Sequence, residues 1–205
     1  MLKLTRPLLK KLSLSWVSLA GLSLASLSYA DGYHYPLQTV TKFLATPAGE
    51  LSALQMAWTY GADETKLLLE GKDLSPDKKE ATLKKLGQAM LDDLFIVGYY
   101  SELSVDGEPT LLNKVTDYQV NLATDNSLTL DFKLALKTAI KPNGKKVALR
   151  LVDPDGVANV VYSSPQKITL DAALAKMCSS PTLSEEVISL PNDHKPTVPT
   201  VHISC

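Results

Sequence analysis

Apolar and polar positions alternate with period two over much of the chain. Leu54, Met56, Trp58 and Tyr60 are separated by Gln55, Ala57 and Thr59. Leu103 and Val105 alternate with Glu102, Ser104 and Asp106, and Tyr118, Val120 and Leu122 with Gln119 and Asn121. The cleanest run sets Leu128, Leu130, Phe132, Leu134 and Leu136 against Thr129, Asp131, Lys133 and Ala135. Val147, Leu149 and Leu151 form another run, and 157–162 reads as a more buried strand. This alternation predicts strands with one buried face and one face in water, the habit of antiparallel sheets. Pro47-Ala48-Gly49, Asp106-Gly107, Asp125-Asn126, Pro142-Asn143-Gly144 and Asp155-Gly156 stand between the runs. These residues tolerate turn backbones, so short hairpins are expected.

One stretch changes period. Leu83, Leu86, Met90, Leu94 and Val97 recur at helical spacing behind Ser75-Pro76, a start signal, and Gly98 is a stop. A shorter helix is expected at about Asp63 to Leu69, and a third at Asp171 to Met177. The predicted fold class is α+β: mainly antiparallel sheet, flat or folded into a sandwich-like meander, with an inserted helical pair on one face.

The first residues differ from all of this. Lys3, Arg6, Lys10 and Lys11 precede an apolar, serine-rich run that ends in Ser28-Tyr29-Ala30. A basic start, an apolar middle and a small-x-small end predict a cleavable secretory signal over 1–30. The run is too short and too interrupted by serine for a spanning helix. The expected organisation is a signal at 1–30, one α+β domain at 31–178, and an extended Pro-rich tail at 179–205. Losing four basic residues of 21 leaves 17 against 22 acidic ones. Without a clustered Lys/Arg stripe, that balance offers no footprint for nucleic acid. Cys178 and Cys205 are the only cysteines. In an exported chain they most simply form a disulfide that ties down the tail. A redox or metal pair fits less well, because the Cys-X-X-Cys spacing is missing.

Candidate chemistry is sparse. The histidines are His34, His194 and His202, and no standard metal spacing joins them. His34 is the candidate ligand, with Asp31 as a second donor. Asp63-Glu64 suits a helix start. Asp153-Pro154-Asp155-Gly156 reads as a turn, since it lacks the spacing of a calcium loop. No Gly-x-Ser-x-Gly elbow or phosphate-binding glycine loop is present, so no enzyme is expected.

The order of short motifs is more specific than any one of them. It runs from His34 through Met56-Ala57-Trp58-Thr59-Tyr60, Leu67-Leu68-Leu69, Tyr99-Tyr100 and Val105-Asp106-Gly107. It continues with Val115-Thr116-Asp117-Tyr118, Leu128-Thr129-Leu130-Asp131-Phe132 and Val152-Asp153-Pro154. This order resembles the domain-of-unknown-function 1007 family. The resemblance implies a periplasmic component of an ABC-type or nickel/cobalt-type transport system, partnered by an inner-membrane permease. It implies zinc or nickel as the metal, with His34 at the end of a family His-Pro-His start; here Gly32 and Tyr33 replace the first two residues. The alternative expectation is a structural protein–protein interaction module without metal.

Overall fold

The computed structural model describes residues 34–191 and 193–205. The predicted signal and Asp31 lie outside the described residues. Among the described residues no helix is long and apolar enough to cross a membrane.

The longest alternating runs become the strands of a first sheet. Strand β1 is Tyr35–Ala45, β2 is Leu51–Tyr60, β5 is Tyr118–Leu122 and β6 is Leu128–Ile140. Two short strands, β8 (Ala158–Val161) and β9 (Ile168–Leu170), complete it. The order is β5-β6-β2-β1-β8, with β9 also against β1. The pairs β1–β2, β2–β6 and β5–β6 are antiparallel. Strands β8 and β9 run parallel to β1, one after the other along the same strand. The sheet is therefore mixed, and its neighbours are not those of a simple meander.

The second sheet has the order β10-β11-β7-β3-β4. These strands are β3 (Ser101–Val105), β4 (Glu108–Pro109), β7 (Lys146–Leu151), β10 (Thr182–Val187) and β11 (Thr197–Ser204). The segment expected as an extended tail is extended, but as two paired strands. Strand β11 lies between β10 and β7, and Val198, Val201 and Ile203 are buried. Cys178 and Cys205 are bonded to one another. In the chain-entropy view, closing a loop of this size stabilises the fold by about 3–4 kcal/mol.

The two sheets share one core. Leu54, Met56 and Trp58 of β2 and Leu130, Phe132 and Leu134 of β6 lie in it with Leu103, Leu149, Leu151 and Val201 of the second sheet. Trp58 meets Phe132 edge-on at 5.0 Å between ring centres. The α+β class thus takes a sandwich-like form.

Helix α1 is Ala62–Leu69, α2 is Lys79–Ile96 and α3 is Ala172–Ala175. Leu83, Leu86, Met90, Leu91 and Leu94 of α2 join the core. Its Gly87 comes so close to Val120 and Tyr118 of β5 that an added Cβ would clash. Ser75 does not cap α2 with its side chain; its carbonyl accepts from the Lys78 and Lys79 amides instead. Asp171 does cap α3, accepting from the Ala173 amide at 3.0 Å. After α2, Gly98, Tyr99 and Tyr100 all take positive φ. For tyrosine that backbone is strained, and packing holds it. Tyr99 is buried, and its hydroxyl accepts from the Val115 amide. Tyr100 stacks on Trp58.

Candidate functional site

Three segments meet at one end of the sandwich. They are the start of β1, the crossover from β7 to β8, and the loop between β10 and β11. The crossover is built by Asp153, which is only 3% exposed. Its carboxylate accepts from the amides of Asp155, Val157 and Ala158 at 3.0, 3.0 and 2.7 Å. A carboxylate that satisfies three amides makes a rigid turn. The Gly156 amide closes it on the Asp153 carbonyl. Start and crossover are joined where the Tyr35 amide donates to the Val157 carbonyl at 3.1 Å.

Two more carbonyls of the turn face histidines. His34 Nδ1 lies 2.8 Å from the Gly156 carbonyl oxygen. His194 Nδ1 lies 3.0 Å from the Asp155 carbonyl oxygen. A carbonyl only accepts, so each Nδ1 is the donor, and each neutral ring then carries its lone pair on Nε2. The two rings meet edge-on with centres 4.8 Å apart. Gly156 makes this approach possible. Its φ is +70°, and a Cβ there would stand 2.8 Å from His194 Nδ1 and 2.9 Å from Leu190. Any side chain at 156 would push the loop away.

Where β1 starts lies a small depression of about 130 Å³, lined by Tyr35, Tyr60, Glu64, Leu67 and Leu68. Burial raises the Tyr35 hydroxyl pKa, and the charges of Asp153 and Glu64 add to the shift. Burial likewise raises Tyr60 and Tyr100, with Asp153 adding at Tyr100. These phenols therefore stay protonated at neutral pH.

Of the sequence candidates, His34 lies at this end, and Asp31 lies outside the described residues. The structure adds His194, which no spacing connects to His34. His202 does not join them. It stands on the outward face of β11, with Nε2 2.9 Å from Ser184 Oγ. That serine also donates to the Thr200 carbonyl. Among the described residues no acidic side chain bonds the His202 ring, so the pair is a cross-strand surface contact. Among the described residues, too, no group of three or more His, Cys, Asp or Glu side chains is placed to hold a metal. Among the described residues this end therefore brings two imidazoles together, not a closed cage. The Asp153 segment is a turn, as its sequence indicated.

No curated protein matches this chain. One family model does match, described as "Protein of unknown function (DUF1007)", over residues 34–188. The matched span opens on His34 and stops before His194, β11 and Cys205. Spanning most of the sequence, the match shows that this chain belongs to the DUF1007 family.

Proposed function

We propose that this chain is a periplasmic, non-catalytic binding or accessory component of a transition-metal uptake system, taking zinc or nickel/cobalt and working with an inner-membrane permease. The observation that carries the reading is His34. It is exposed at the rim, and its Nδ1 is committed to a backbone carbonyl. Histidines that ligate metals almost always donate their second nitrogen in this way, which fixes the tautomer and leaves Nε2 for the ion. Imidazole suits zinc, nickel and copper(II). The basic, apolar start of the chain supports export.

The test is uptake. Cells lacking the gene, grown under zinc or nickel limitation, are expected to accumulate less radioactive metal, and the plasmid-borne chain restores it. Unchanged uptake of zinc, nickel and cobalt in the deletion strain would overturn the reading.

A second reading, an interaction module without metal, is favoured by the open outer edge of β5. A groove of about 560 Å³ runs between that edge and α2, lined by Lys79, Leu83, Tyr118 and Val120. Edge strands offer unpaired backbone groups to a partner. Recovery of a membrane partner that needs β5 and is indifferent to metal would favour it.

A further inference from the structure

We infer that His34 and His194 together form a two-imidazole site for a divalent transition metal, and that the ion fastens the β10–β11 loop to the start of β1. The inference rests on the metal-handling reading above and names the second ligand, the donor set and what binding does to the fold.

Four observations carry it. The rings are 4.8 Å apart between centres. With metal–nitrogen bonds of about 2.0–2.1 Å, two imidazoles sharing one ion at right or tetrahedral angles place their centres roughly 4.5–5.2 Å apart. Both rings are held by the same nitrogen, Nδ1, and by neighbouring carbonyls of one turn. That common arrangement puts the lone pair of each neutral ring on the same atom, Nε2. The turn is itself locked by a buried carboxylate, so the supporting groups are rigid before any ion arrives. Finally, Gly156 is the residue that lets His194 come this close.

The donor set selects the ion. Two neutral imidazoles suit zinc, nickel and copper(II) and are poor ligands for magnesium or calcium. Copper(I) prefers thiolate or thioether, and both cysteines are held in the disulfide. With two protein donors, the ion keeps positions for water or for groups of a receiving protein. Such an open ion is exchangeable, as delivery requires.

Binding also has a mechanical consequence. Among the described residues, the loop that carries His194 is closed by backbone bonds from Ile188 N–H to the Pro196 carbonyl, Leu190 N–H to the His194 carbonyl, and Asp193 N–H to the Leu190 carbonyl. An ion held by both rings ties this loop to β1 and slows its opening.

The test uses the chain expressed from its own start and purified, with its N-terminus read by mass spectrometry. Titration calorimetry with zinc and with nickel is compared with that of His194→Gln. This variant keeps an amide donor for the Asp155 carbonyl but has no imidazole. The expected result is one ion per chain, and a loss in the variant at least as large as the about 10–100-fold that removing a supporting group costs. Hydrogen exchange at Leu190 and Asp193 is expected to slow with metal in the parent and not in the variant. Equal affinity in parent and variant would overturn the two-histidine site while leaving metal handling intact. No binding of zinc or nickel by the parent would overturn direct binding, and the uptake experiment would then decide whether the chain still assists transport.

Discussion

The middle of the sandwich and its histidine-bearing end are stabilised differently. In the middle, inward positions of β2, β6 and β7 are large apolar side chains that contact one another across the two sheets. Many residues share the work, and no single backbone position is special. At the end, one buried carboxylate, one glycine with positive φ and two carbonyls hold two rings from distant segments. Few groups act there, and each has one arrangement that works. Changes in the middle should therefore alter stability and leave metal affinity intact in whatever remains folded. Changes at the end should lower metal affinity along with stability.

The largest expected effect is Trp58→Ala. It removes a fully buried ring that touches Phe132 and Tyr100. Chemical denaturation should show a loss of about 3–5 kcal/mol, with zinc affinity of the folded fraction unchanged. Next is the paired change Cys178→Ser and Cys205→Ser, which should cost about 3–4 kcal/mol if the loop-closure view holds. Because β11 follows the His194 loop, this pair sharpens the comparison: stability should fall before affinity does.

Asp153→Ala attacks the end itself. It strands three amide donors, two of them in a partly buried setting and one buried. A loss of about 2–3 kcal/mol is expected, and metal binding should fall with it. Gly156→Ala should cost less, about 1–2 kcal/mol for the left-handed backbone, yet reduce zinc affinity by about 10–100-fold by displacing His194. If it leaves affinity untouched, the two regions do not differ as described.

The smallest effect lies outside both regions. The Lys78 and Ser75 groups around Asp73 hold its carboxyl down to about 2. A depressed carboxyl stabilises the fold above its ordinary pKa, and that stability is lost as pH falls from about 4 to 2. Asp73→Asn should therefore lower the melting temperature slightly at neutral pH. The difference from the parent should vanish near pH 2.

How far these regions are legible in the sequence follows the same division. Strands β2 and β6 declare themselves because every inward position is apolar. Strand β1 hides because its inward residues include Thr39 and Thr41. The Thr41 hydroxyl is satisfied internally, 2.7 Å from the Tyr162 hydroxyl, and no local pattern reveals such a partner. Strand β11 hides behind prolines. Pro199 is one residue ahead of the point where β11 begins to pair with β7, and prolines in a run argue against an inner strand. Parallel pairing of β1 with β8 and β9 depends on contacts between remote segments. His34 was legible through its place in the motif order. His194 was not, because its neighbourhood is created by the β7–β8 crossover and a glycine that looks like an ordinary turn residue.

The most direct test of the central claim is X-ray absorption of the zinc-loaded protein. The expected spectrum contains two imidazole nitrogens at about 2.0–2.1 Å, no sulfur, and one imidazole fewer in His194→Gln. A spectrum with a single imidazole, or one that His194→Gln leaves unchanged, would contradict it.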